Sequence, residues 1–339
     1  MYKPTDDETH ALSHEFTTQL MSTAHLVGFK EVPFQGDQNT PLRYIEMEGS
    51  RGYDTPSESE TPSEEPTEIL LFVCGMGGST LSALPLLTGL RHEFHRMVSL
   101  DLRGFGIHSE YGSNFKAAEV HIADLRACLS ALKHAYPNSV FTLMGISLGA
   151  LLLCHTLAKS DTRTFPSLQS LVLLAPAFAP HPNTFKPLSI LKAILAFLLN
   201  PRATMRLPYT LTALTKNPVY LDTPVMQPPT ELPLTYLLSV KQLQDTVMQC
   251  LPLIELPVMM VVPMQDKVCD PHAMQKGFCR LSDTHSHTTN AFGHRLSLYQ
   301  SSYHDVILEP ELPWMLNDLI SWLDQCRLTT PLTPVSPTP

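Results

Sequence analysis

Five short stretches of this chain are apolar at nearly every position: EILLFVCG from Glu68, HRMVSLD ending at Asp101, Val140 to Met144, SLVLLAPA from Ser170 and VMMVV from Val258. A strand with one wet face alternates apolar and polar residues, whereas a continuous apolar run is covered on both faces. Only helices packed on both sides of a parallel sheet provide that cover. Ala118, Ile122, Leu125, Leu129, Leu132 and Tyr136 recur at spacings of three and four, the stripe of an amphipathic helix. Leu148 to Ala158 reads as a second helix, Arg295 to Gln300 as a further strand, and Trp314 to Cys326 as a closing helix. Such alternation predicts an α/β fold with a mostly parallel, doubly wound sheet.

With 339 residues, 43% hydrophobic and 16% charged, the chain can bury a large core. Its net charge of −9 is concentrated: Asp54, Glu58, Glu60, Glu64, Glu65 and Glu68 supply six of the nine, leaving the body nearly neutral. A nucleic-acid partner is therefore not expected. Seven cysteines stand singly, without a CxxC pair, as reduced thiols do, and no metal or organic cofactor is implied. The N-terminus is acidic where a secretory signal is basic, and no run reaches the roughly 18 apolar residues of a membrane span, so a cytosolic protein is expected. Nothing in the sequence sets an oligomeric state.

Composition divides the chain. Residues 1–49 carry two N-terminal strands of the core, near Lys30–Pro33 and Leu42–Met47. Residues 50–67, rich in Ser, Pro, Thr and Glu, read as a disordered acidic loop. Core follows over 68–177, then an insertion over 178–256 with more chain than one crossover helix needs, read as a helical cap. Core resumes over 257–327, and 328–339 reads as a disordered tail. Within the insertion, nine of ten positions from Ile190 to Leu199 are apolar. That stretch suits a buried helix equally well as a lid turning its outer face to lipid, with Lys186, Lys192, Arg202 and Arg206 near anionic headgroups.

Open sheets of this kind bind ligands beyond the carboxyl ends of their strands. Ser147 stands there, in Gly145-Ile146-Ser147-Leu148-Gly149. Gly-x-Ser-x-Gly alone is weak, but between a strand and a helix it is the pattern of a nucleophile on a sharp turn. The glycines are needed because strand and helix pass too closely for side chains. A serine hydroxyl needs a base, and the base an acid, following in the order Ser, Asp or Glu, His. Asp266, in the loop after VMMVV, fits the acid; Asp270, four residues on and followed by Pro271, fits a turn or helix start. Of the later histidines, His304 follows the last strand and leads into the final helix. His294 precedes that strand, and His285 and His287 form an H-x-H pair without an evident third metal ligand.

Ser147 in its turn, DLRGFGIHS after the second apolar strand, QDKVCD, and YHDVILEPE before the final helix together resemble the monoacylglycerol lipase and lysophospholipase branch of the α/β-hydrolases, the serine aminopeptidase S33 type. The resemblance covers roughly residues 28–327. It implies an α/β-hydrolase fold with an inserted cap, and a serine hydrolase cleaving acyl esters of glycerol or glycerophospholipid through an acyl-enzyme, with Ser147 as nucleophile, Asp266 as acid and His304 as base. It further implies an oxyanion hole from the backbone N–H groups of Leu148 and Met76. The implied partner is a small-molecule lipid ester, with the cap as a point of peripheral membrane contact. Two departures stand out: Cys74 replaces the histidine of the usual His-Gly pair before Met76, and the 38 positions from Asp266 to His304 contain extra residues near SDTHSHTTNAFG. Asp101 and Arg103 are expected to clasp the turn at Gly104 and Gly106. A proline-iminopeptidase-like peptidase would need acids in the cap, which offers only Asp222, Glu231, Asp245 and Glu255. An acyl-CoA thioesterase would need bases for phosphate, and a silent binding fold would lack a triad member.

Overall fold

The apolar runs form the centre of the sheet. In the computed structural model, which describes residues 29–51, 67–112, 115–160, 164–185, 192, 195–200, 202–222, 229–282 and 293–329, β3 (Glu68–Val73), β5 (Val140–Ile146) and β9 (Val258–Pro263) are buried at every position. With β1 (Phe29–Gln35), β2 (Pro41–Glu48), β4 (Arg96–Leu100), β6 (Ser167–Leu174) and β10 (Arg295–Tyr299) they make an eight-stranded sheet in the order β1-β2-β4-β3-β5-β6-β9-β10. β2 pairs antiparallel with both β1 and β4, and every other pairing is parallel. The chain reverses direction in strand order on either side of β3, and ligand sites form at such a reversal.

Helices cover the sheet. α1 (Thr80–Gly89) and α6 (Leu312–Thr329) pack together, while α2 (Glu119–Ala135) and α3 (Leu148–Lys159) form another packed pair. α5 (Pro271–Ser282) follows β9 and packs on it. α1 has no sequence expectation behind it because it is apolar on nearly every side, with Thr80 and Ser82 buried among its leucines. A helix with no polar face has no period to read.

Between β6 and β9, the described residues are not purely helical. β7 (Thr204–Arg206) pairs antiparallel with β8 (Glu231–Pro233), and two short helical turns, Leu211–Leu214 and Pro218–Asp222, precede the long α4 (Leu234–Cys250). α4 lies directly on α3. It also reaches α2 through aromatic rings: the Tyr236 ring meets His121 of α2 edge-on at 5.8 Å and Phe115 at 5.6 Å. His121, 1% exposed, has both ring nitrogens without a hydrogen-bond partner among the described residues.

Glu68 does not belong to the acidic loop electrostatically. It is buried and paired with Arg327 at 2.9 Å, which also holds Glu93 and Asp324. The start of β3 is thereby tied to the end of α6. The expectations for the loop over 50–67, the tail over 328–339 and the His285/His287 pair fall almost wholly outside the described residues. Among the described residues no helix is long and apolar enough to cross a membrane.

Candidate active site

β5 runs straight into α3, and Ser147 is the joint. Its φ of +53° and ψ of −117° lie where a side chain is strained, and the surrounding hydrogen bonds hold it there. Ser147 N–H donates to the Leu174 carbonyl, and its own carbonyl accepts from Leu151 and Ala177. The flanking glycines have the steric cause expected. A Cβ on Gly145 would stand 2.7 Å from the Ala150 nitrogen, and one on Gly149 would stand 2.3 Å from the Val73 carbonyl oxygen.

The three residues singled out by order in the chain meet in space. His304 Nε2 lies 2.9 Å from Ser147 Oγ, and His304 Nδ1 lies 2.7 Å from Asp266 Oδ2. Asp266 is itself fixed, because its Oδ1 accepts from the backbone N–H groups of Val268 and Cys269 at 2.7 and 2.8 Å. Those two bonds turn the other oxygen toward the imidazole. Burial alone would lower the His304 pKa, but the Asp266 carboxylate beside it outweighs burial and raises it above the ordinary histidine value. The rivals lie elsewhere: Asp270 caps α5 through the His272 N–H, and His294 Nδ1 accepts from the Val258 N–H beneath Phe278.

The loop after β3 closes on the nucleophile. A Cβ on Gly75 would be 3.2 Å from Ser147 Cβ, so Met76 follows at the rim of the serine, where it and Leu148 line the same cavity as Ser147. Cys74, in place of the usual histidine, is bonded to the loop after β4. Its Sγ donates to Asp101 Oδ1 at 3.4 Å, and burial beside that carboxylate pushes the thiol pKa well up, so it stays protonated.

The expectation for Asp101 and Arg103 needs correction, because the two do not pair with each other. Asp101 binds Thr80 through both its N–H and its hydroxyl, each at 2.7 Å, and also accepts from the Ile107 N–H. It therefore ties the loop after β4 to the start of α1 and to Cys74. Arg103 instead forks onto Asp124 of α2, at 2.9 and 2.5 Å. The reason is that each is taken up by a different buried partner, Asp101 by the start of α1 and Arg103 by the Asp124 carboxylate of α2. Cys269, within QDKVCD, has no role in the sequence reading. Its buried thiol lines the same cavity as Ser147 and lies within 4.8 Å of the ligand atoms of Asp266 and His304.

A cavity of about 540 Å3 opens from Ser147 and Leu148 toward α4 and the residues before β7. Its walls are largely apolar, including Phe185, Phe197, Leu207 and Leu238, and no carboxylate is among the described residues lining it.

Comparison with known proteins fits this geometry. No curated protein sequence matches the chain. Among solved structures, a soluble variant of monoglyceride lipase from Saccharomyces cerevisiae, bound to a substrate analogue, superposes with a TM-score of 0.68 at 17% identity, over 88% of this chain and 95% of that one. A carboxyl esterase from Bacillus coagulans in complex with glycerol gives 0.64 at 15% identity, over 88% and 99%. The monoacylglycerol lipase of Paleococcus ferrophilus gives 0.60 at 16%, over 76% and 94%. At these identities the likeness is one of fold. The family described as serine aminopeptidase, S33 matches residues 64–311, well over half of the chain. The chain therefore belongs to that family and has the α/β-hydrolase fold.

Proposed function

We propose that this protein is a serine hydrolase that cleaves carboxylic esters of lipid-like substrates, monoacylglycerol or lysophospholipid, through an acyl-enzyme. The observation that carries this reading is the hydrogen-bonded chain from Asp266 through His304 to Ser147, opening onto an apolar cavity of about 540 Å3. Ser147 Oγ attacks the ester carbonyl while His304 takes its proton, and the oxyanion is held by the N–H groups of Met76 and Leu148. Asp266 stabilises the imidazolium. His304 then protonates the departing alcohol, and water, activated by the same imidazole, releases the fatty acid.

Residues 178–256 act in this reading as a cap over the acyl chain. Leu195, Leu198 and Leu199 expose 51%, 72% and 87% of their surface, an apolar ridge fit to rest on a lipid surface while Phe197 faces the cavity. The family's name suggests a peptidase, but a free amino terminus needs a carboxylate in the cavity. Of the acids in this segment, Glu231 is bonded to Thr204 and Asp245 is paired with Lys241, both outside the cavity lining. A phosphate-rich thioester is equally ill served, since Lys241 is the one cationic side chain among the described lining residues.

The test is turnover on a panel of monoacylglycerols, lysophospholipids, acyl-CoAs, aminoacyl amides and short p-nitrophenyl esters, with Ser147→Ala as the control. The expected result is ester hydrolysis and fluorophosphonate labelling in the native protein and neither in the variant. Activity surviving Ser147→Ala sinks the assignment.

A further inference from the structure

Two cavities meet at Ser147. The larger is largely apolar, and His304 does not line it. The smaller, about 50 Å3, adds His304, Asp305, Cys74 and Ser82 to a largely apolar wall and shares Met76, Ser147, Tyr209 and Val268 with the larger. In acyl transfer the base that takes the nucleophile's proton returns it to the leaving oxygen, so the leaving group lies within reach of the imidazole. The alcohol half of an ester therefore occupies the smaller cavity and the acyl chain the larger. At roughly 10–15 Å3 per water-sized group, the smaller cavity has room for about four such groups, the size of a short alcohol.

Asp305 is the unusual feature of that cavity. It is 3% exposed, its side chain makes no hydrogen bond among the described residues, and Oδ1 is fully buried without a partner. Its backbone is fixed by bonds to the Leu214 carbonyl and from the Leu308 N–H, both 2.8 Å. Burial, opposed by His304 and helped by Glu309 and Asp266, pushes the carboxyl up to about 7. Cys74 stands on the remaining side. A buried carboxyl with no partner lowers stability, and such groups persist where the missing partner arrives with a ligand. No lysine or arginine lines this cavity among the described residues.

We propose that Asp305 selects the alcohol half of the substrate: it accepts a hydrogen bond from a hydroxyl of a short polyhydric alcohol and turns away headgroups that carry phosphate. The inference rests on the ester-hydrolase reading and narrows it from two headgroup classes to one. A phosphate in this cavity would face the Asp305 carboxylate with no lysine or arginine among the described lining residues to offset it, whereas a hydroxyl supplies the donor that Asp305 lacks.

Three esters of one fatty acid test it: the monoacylglycerol, the methyl ester, which has no donor, and the acylglycerol phosphate. Each is measured as kcat/KM on the native protein, Asp305→Asn and Asp305→Val. In the native protein the order is monoacylglycerol, methyl ester, acylglycerol phosphate. In Asp305→Val the ratio of monoacylglycerol to methyl ester falls by about tenfold to a hundredfold, the range for a hydrogen bond to a charged group. In both variants the ratio of acylglycerol phosphate to methyl ester rises, and Asp305→Asn melts higher than the native protein at pH 8. Ratios unchanged in both variants overturn the proposal, as does a lower melting temperature in Asp305→Asn, which would make the carboxyl a structural group. Native protein inactive on all three esters refutes the ester-hydrolase reading itself, and the inference with it.

Discussion

Placing a methyl group on Gly149 should disable the site far more than it destabilises the fold. The Cβ of an alanine there would stand 2.3 Å from the Val73 carbonyl oxygen, 2.6 Å from that of Cys74 and 2.9 Å from the Val73 carbonyl carbon. All three are backbone atoms at the end of β3, a strand hydrogen-bonded on both sides in the middle of the sheet, so they cannot yield. An ordinary contact begins at 3.4 Å, so the start of α3 must retreat by about 1 Å. Helix propensity recovers about 1 kcal/mol on replacing glycine with alanine, while overpacking costs about 1–3 kcal/mol, leaving a net loss of up to about 2 kcal/mol. That corresponds to a fall in Tm of a few degrees. The same 1 Å, however, displaces Ser147 and Leu148 from His304 and from the β3 loop, and a misplacement of that size costs about a hundredfold in rate. The assays are thermal melting, ester turnover and the second-order rate of fluorophosphonate labelling. Gly112→Ala is the control: its φ is +63° but nothing lies within 4 Å, so it should cost about 1–2 kcal/mol and leave labelling intact. Gly149→Ala protein that labels at the native rate would refute the close approach of α3 to β3.

Asp266→Asn retains the oxygen that accepts from Val268 and Cys269 but offers a donor to His304 Nδ1, so kcat should fall by about 10⁴ with the fold intact. In the native protein, kcat/KM should rise with pH through a His304 value above the ordinary histidine range, since the base must be neutral; in Asp266→Asn only Asp305 is left to oppose burial and the midpoint moves to lower pH. An unmoved midpoint counts against the pairing. Burial lowers the His121 pKa to about 3, below its unfolded value of about 6.5, so its neutral form contributes stability at pH above about 6.5 that is lost as pH falls toward 3. His121→Phe should narrow the gap in Tm between pH 5 and pH 8; an unchanged gap would show that another group carries the acid sensitivity.

The central strands and the triad were legible for the same reason. A parallel sheet writes its strands as unbroken apolar runs, and its site as the residues that follow them, so Ser147, Asp266 and His304 are found by position along the chain. Strand ends were off by a few residues, as at β6, which begins at Ser167. What stayed hidden lacks periodicity or depends on three dimensions. α1 is apolar all round, and the pairing of β7 with β8 joins two three-residue strands that are distant in the chain. The partners of Asp101 and Arg103, Thr80 of α1 and Asp124 of α2, are each 21 positions away on separate helices, which no spacing reveals. Cys269 and Asp305 lay within the quoted motifs; their burial against Ser147 and His304 became visible only when the strands were aligned.

The base of the site is separated from the nucleophile by 157 positions and follows β10, an edge strand that is among the last elements of the chain to be made. On the ribosome, β3, β5 and the serine turn can form long before His304 has been synthesised. In the proposed reading Ser147 has no base throughout that interval, and the half-made chain hydrolyses nothing. Activity would then switch on when β10 docks against β9 and carries His304 over the serine. Reactivity of Ser147 toward a covalent probe is therefore a clock for the completion of folding, and it should appear later than any spectroscopic signal from the central sheet.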